Sequence, residues 1–276
     1  ALNAGNSTNP GYGLEVHNDA IVTTLSIKNS TFSGNGSVGM RIRGTVDGLT
    51  IDESAFDRNN YGFYTTLGGT FDATNVSDVE ITSTTFNDNS NKGIYAEKLD
   101  GATFESIEVI NSDTGVGASD QAIDINLKSR DYGPITVRDA TISGSVGEGL
   151  NVKARNSGSY GPPNDASLSN LTVKNSVFED NQFGVVVGNN VQAATIDSNL
   201  VQSNGTKQSG NRGGILFYGK PEESPDYKVR GNCITGNGNY GLAGASSPKS
   251  GSGTVTASGN YWGAGSGPSG DFVGSG

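Results

Sequence analysis

The stretch NSTFSGN, Asn29–Asn35, carries an F-x-x-N core that returns through the chain. It reads FSGN at Phe32, FDRN at Phe56, FNDN at Phe86 and FEDN at Phe178. An aromatic and an amide at fixed separation, repeated this often, point to a structure in which equivalent positions meet one another. Extended both ways, each copy has an alternating apolar pair, a polar turn, the apolar residue, the amide three later, then Gly and a second alternating segment. LSIKNSTFSGNGSVGMRI, LTIDESAFDRNNYGFYT and LTVKNSVFEDNQFGVVV are full copies. FESIEVINSDTGVGASDQAIDI is a weaker one, and ITVRDATISGSVGEGLNV follows it as a further copy.

The repeated apolar position is read as Phe32, Phe56, Phe86, Ile110, Ile142, Phe178, Val201, Ile234 and Trp262. The amide position is read as Asn35, Asn59, Asn89, Asp113, Ser145, Asn181, Asn204 and Asn237. Copies recur every 23 to 36 residues, with the variation after the second strand, where loops absorb it. Period-two alternation marks strands, and no segment has a convincing helical period. Short strands without helical crossovers do not make an ordinary parallel sheet. A coiled chain does: each copy becomes one turn, and strands pair with their equivalents about 4.8 Å away. A propeller blade needs about 40 residues or more and does not fit. The expected fold is all-β, a right-handed parallel β-helix (solenoid) of about nine coils. Residues 1–276 are expected to form one domain, with 1–13 and 265–276 as irregular ends or linkers. The Phe residues are expected to stack inside, and the Asn residues to occupy the bends, where Asn tolerates a left-handed backbone.

Composition narrows function. One third of the 276 residues are apolar and 42 are Gly, which suits a thin repetitive core. The net charge of −10 argues against nucleic acid, which needs clustered Lys and Arg. No apolar run is long enough to insert in a membrane. The single cysteine, Cys233, cannot form an internal disulfide and is read as a small packing residue.

The N-x-x-F-x-x-N-x-x-x-G turns and the closing GNYWGAGSGPSG, Gly259–Gly270, resemble right-handed parallel β-helix proteins of the pectate-lyase-like superfold. The ending is similar to those that follow β-helix repeats in large microbial surface and secreted proteins. The F-x-x-N turns and GGI, Gly213–Ile215, are similar to passenger domains of bacterial adhesins. The resemblance implies an extracellular or cell-surface module.

Alternation in the strand after each Gly separates inner from outer side chains. A first outward row reads Arg41, Tyr64, Tyr95, Asp124, Asn151, Val186, Leu216 and Ala243. A second reads Arg43, Thr66, Glu97, Asn126, Lys153, Gly188 and Tyr218, and a third adds Lys128, Arg155 and Lys220. Tyrosine rings suit the apolar face of a sugar, and guanidinium, amide and carboxylate groups suit its hydroxyls. Arg41, Arg43, Tyr64, Tyr95, Asn151, Lys153 and Arg155 are the candidate substrate-binding residues, for a polysaccharide and in particular an acidic one. A solvated sheet face of mixed charge is the alternative. The lone His17 is placed away from this face.

The resemblance also implies a lyase or epimerase chemistry, in which a base removes a proton next to a sugar carboxylate. Asp124, Lys128 and Tyr95 are the catalytic candidates, and Ca2+ is the one candidate cofactor; no dedicated metal ligands are assigned. Polygalacturonase signatures are missing, which disfavours that hydrolase type. The competing reading is a structural or adhesive stalk or filament unit. Open strand edges at the ends of a coil imply end-to-end self-association or flanking domains as partners.

Overall fold

The computed structural model describes residues 11–67, 74–112, 121–156, 158–160, 165–206, 212–218, 226–244 and 254–263. The strands fall into three large parallel sheets that the chain visits in turn, with a two-stranded one, Asp131–Tyr132 beside Ser167–Leu168, as a fourth. A nine-stranded sheet contains Tyr12–Val16, Val38–Ile42, Tyr61–Thr65, Lys92–Ala96, Ile123–Leu127, Glu148–Ala154, Phe183–Val187, Gly213–Phe217 and Tyr240–Gly244. A ten-stranded sheet runs from Ile21–Val22 to Thr254–Ser258, and a five-stranded one from Glu108–Ile110 to Cys233–Thr235. Isolated bridges Thr31↔Ala55↔Thr85↔Glu108 and Cys233↔Tyr261 extend the third. Tyr12 and Gly13, expected in an irregular end, belong to the first strand, because Tyr12 pairs with Val38.

The interior follows from the alternation. Met40, Ile42, Phe63, Ile94, Ile123, Ile125, Leu150, Val152, Val185 and Ile215 are fully buried in one core. The Phe32, Phe56 and Phe86 rings stack at 5.3 and 5.4 Å, with planes 13° and 12° apart. Stacks of this kind contribute beyond the area they bury.

At one bend the amides form a ladder. Asn35 donates through its backbone N–H and Nδ2 to Asn59 Oδ1, at 2.8 and 3.0 Å. Asn181, Asn204 and Asn237 repeat this step, with Nδ2 also donating to the carbonyl of the ladder residue one coil back. The following Gly is required by space: a Cβ on Gly39, Gly62, Gly149, Gly184 or Gly214 would lie 2.8 to 3.1 Å from the Nδ2 of the next coil's Asn.

Two expectations are corrected. In the fourth copy the apolar ladder residue is Val109, which pairs with Ile142; Ile110 pairs with Ser143 on the outer side. The amide position moves with it to Ser112, whose hydroxyl donates to the Phe86 carbonyl at 2.7 Å. Asp113 itself lies outside the described residues. The left-handed residue at this bend precedes the amide: Gly34, Arg58, Asp88, Asn111, Gly144, Asp180, Ser203 and Gly236 all have positive φ, and the ladder Asn residues do not.

The opposite bend carries a second ladder that the repeat pattern had not disclosed. Ser30, Ser54, Ala140, Ser176, Asn199 and Asn232 each donate a backbone N–H to the side chain of Ser54, Thr84, Ser176, Asn199, Asn232 and Asn260, respectively. Another left-handed residue, from Asn29 and Glu53 to Gly231 and Gly259, precedes each of these. Its signal was in the sequence, as a Ser, Thr or Asn two positions before the ladder residue. Cys233 stands on the outer side of the five-stranded sheet, half-buried beside Leu200, rather than in the core.

Candidate functional site

The outward rows assemble on the nine-stranded sheet. Register pairs Arg41 with Tyr64, Tyr64 with Tyr95, Tyr95 with Asp124, Asp124 with Asn151 and Asn151 with Val186. Glu15 extends the row below Arg41. His17 follows Val16, which is opposite Ile42, and so continues the second row next to Arg43 rather than lying away from the face. It is exposed, with Nδ1 3.4 Å from Asp19.

Tyr61, Tyr64 and Tyr95 pack together: Tyr64 lies 5.1 Å from Tyr61 and 5.0 Å from Tyr95, ring centre to ring centre. Arg41 lies between the Tyr12 and Tyr64 rings, at 5.2 and 5.7 Å, and donates to the Tyr12 hydroxyl at 2.7 Å. Arg43 Nε is 3.0 Å from Glu15. Tyr61 was missed because it stands three residues before Tyr64, out of step with period two, in a row that also holds Lys92.

Charge converges on the middle coils. Asp124 accepts from Asn151 Nδ2 at 2.9 Å and lies 3.4 Å from Lys92 Nζ and 3.9 Å from Lys153 Nζ. Lys92 also donates to Gln121 and faces the Tyr95 ring. Glu97 pairs with Lys128 and accepts from Thr66 Oγ1, the Leu67 N–H and the Tyr95 hydroxyl. Burial alone would raise the Glu97 carboxyl. Lys128, the Leu67 N–H and the Tyr95 hydroxyl outweigh it and hold the group below its usual range. Burial first, and then the Glu97 charge, hold the Tyr95 phenol far above its ordinary value. The Tyr95 hydroxyl is the donor in its bond to Glu97. Burial also raises the Tyr64 phenol.

Tyr160, in the short 3-10 turn Gly158–Tyr160, covers this end of the face, its ring 5.1 Å from Lys128 Nζ and 6.0 Å from the Arg155 guanidinium. Lys220 lies outside the described residues. These side chains are more enclosed than an outward row suggests. Asp124 and Asn151 are each 4 % exposed, because they satisfy one another across coils.

Ca2+ does not fit this donor set. The Asp124 carboxylate is already shared among two ammonium groups and an amide. Among the described residues no three His, Cys, Asp or Glu side chains gather as a metal would need.

The family model described as a right handed beta helix region matches residues 3–131. That match covers just under half of the chain, and the stacked parallel sheets with register-paired ladders carry the same architecture through the later coils. The protein is a right-handed parallel β-helix repeat protein. No curated protein and no solved structure matches it significantly. The β-helix thus places Arg41, Tyr64, Tyr95, Asp124 and Asn151 on one face, with Arg43, Lys153, Lys128 and Arg155 in the rows beside them. Among the described residues, no helix is long and apolar enough to cross a membrane.

Proposed function

We propose that this face binds a polysaccharide, with acidic sugars preferred, and that the β-helix works outside the cell or on its surface. The observation that carries the reading is the packed Tyr61–Tyr64–Tyr95 group, flanked by Arg41 on one side and Lys92 on the other. Rings held against one another keep a fixed platform, and the cations beside them supply contacts for carboxylates and hydroxyls. The electrostatics favour binding over lyase chemistry. Tyr95 is held protonated and Lys128 is engaged by Glu97, so neither is a ready base.

The test is a glycan array, followed by ultraviolet detection of unsaturated uronate products with and without Ca2+. Binding without product is the expected result. Product formation that is lost in Lys128→Gln would replace the binding reading with a lyase. Silence across acidic and neutral glycans would overturn the reading and leave a structural or adhesive stalk. That second reading draws on the two bend ladders, which stiffen the coil independently of any ligand.

A further inference from the structure

The face of the nine-stranded sheet changes character between two neighbouring coils. Glu148 is followed in register by Phe183, and Asn151 by Val186. The next two coils keep the change: Gly213 and Tyr240 follow Phe183, and Leu216 and Ala243 follow Val186. None of these six residues carries a charge, whereas the coils before them present Lys92, Asp124, Glu148 and Lys153. Val186 is the covered floor of the patch, 4 % exposed. Phe183, Leu216, Tyr240 and Ala243 are partly exposed, and the open Tyr218 ring borders them.

Small residues let the rings lie flat. A Cβ on Gly213 would come within 2.7 and 3.0 Å of Tyr240 Cδ2 and Cε2. The Tyr240 ring therefore lies down across Gly213 towards Phe183, 6.4 Å away centre to centre. A ring held down on a sheet turns its face, rather than its edge, to the solvent. Three strands wide and about five residues long, the patch measures roughly 240 Å² by strand geometry. A stable contact between two protein copies needs about 800 Å² on each. The patch is too small for that and suits a small flat apolar surface, such as the C–H face of an uncharged sugar ring.

We infer that Phe183, Leu216 and Tyr240 form a second subsite, for uncharged sugars, on the face proposed above to hold acidic ones. The inference rests on that polysaccharide reading and adds composition and direction to it. One glycan chain runs along the coil axis, across the strands, with acidic sugars beside Arg41 and Tyr64 and uncharged ones over Phe183 and Tyr240. Three rungs separate Tyr95 from Val186, about 14 Å by strand spacing, so only a chain of several sugars spans both halves. Linked subsites hold such a chain more tightly than either does alone.

The experiment is titration calorimetry with three probes: oligogalacturonate, a cello-oligosaccharide, and a hyaluronan oligosaccharide in which acidic and uncharged sugars alternate. Tyr240→Ala and Leu216→Ser are each expected to weaken the cello-oligosaccharide and hyaluronan about tenfold, and oligogalacturonate much less. Tyr240→Phe keeps the ring and is expected to bind as the parent does. Leu216→Ser, at an outward and partly exposed position, should unfold near the parent midpoint and keeps the test open if Tyr240→Ala folds poorly. Binding of the cello-oligosaccharide should be insensitive to added salt, and that of oligogalacturonate should weaken with it. Oligogalacturonate binding that is lost in Arg41→Ala, with the cello-oligosaccharide unbound or unaffected by both patch variants, overturns the subsite and leaves the face reading standing. A dimer in sedimentation that Leu216→Ser dissociates overturns the subsite in favour of a contact between copies. If the parent binds none of the three probes, both readings fall.

Discussion

Ala122 pairs with Gly149 and stands where the neighbouring coils have glycine, and Ser145 stands where most of the following coils have asparagine. The two departures belong together. A Cβ at the glycine position faces the Nδ2 of the next coil's amide. By repeat equivalence the Ala122 methyl group faces Ser145, whose shorter side chain leaves room for it.

The pairing gives a double-mutant cycle. Ser145→Asn alone should destabilise by about 1–3 kcal/mol, because the new amide meets the Ala122 methyl group. Ser145→Asn with Ala122→Gly should recover most of that loss and join Asn181 to a longer ladder. Denaturant unfolding reads the coupling, expected above about 1 kcal/mol. Additive effects would mean that the two positions do not touch.

Ser112 breaks the same ladder below, and Asn89 Nδ2 is left buried without an acceptor. Ser112→Asn would supply Oδ1 next to Gly93, where the Val109 Cγ1 methyl group must give way to it. The expected outcome is a gain of about 1 kcal/mol, seen as a higher unfolding midpoint. A loss would show that the coil at Ser112 is too tight for the amide.

Asp124→Ala should cost about 3 kcal/mol, since it leaves Lys92 enclosed without its carboxylate. Loss of ligand binding in that variant would therefore say little about the site. Asp124→Asn keeps an acceptor for the Asn151 amide and should retain more of the stability. Comparing the two by thermal unfolding separates folding from recognition.

The Glu97 carboxyl is held below its ordinary value in the folded chain, so its unfolded form binds a proton first as pH falls. Its contribution is fully present above about pH 4.3, the unfolded value, and is lost as pH falls through the lower folded one. Glu97→Gln should flatten this acid limb of a stability-versus-pH curve. An unchanged slope would mean that Lys128 does not hold the carboxylate.

Arg58 has φ of 55° at an exposed bend position, where Gly34, Gly144 and Gly236 serve other coils. Arg58→Gly removes backbone strain of about 1–2 kcal/mol and adds an entropic cost of roughly half that. A net gain of about 0.5 kcal/mol in denaturant unfolding is expected, and a clear loss would point to an Arg58 contact that offsets the strain.

The coil and its outward rows were legible because period two and a recurrent F-x-x-N are both local signals. The fourth copy was misread by one residue for a related reason. Val109 and Ile110 are adjacent and apolar, and with Ser112 in place of Asn nothing marked the register, so a slip of one turned the strand over. The candidate site was legible as membership and not as chemistry. Alternation put Asp124, Glu97 and Lys128 outward, but their pairing depends on side chains from coils some 30 residues apart. Lys92 and Gln121 entered from a row that the reading had skipped.

The bend amides all point the same way. From Asn35 to Asn59, and again from Asn181 through Asn204 to Asn237, the earlier coil gives the hydrogen and the later one receives it. Among the described residues, Asn35 Oδ1 is buried and receives no hydrogen bond. The rod is therefore a vector. A duplicated or transplanted coil fits only if inserted in the same sense.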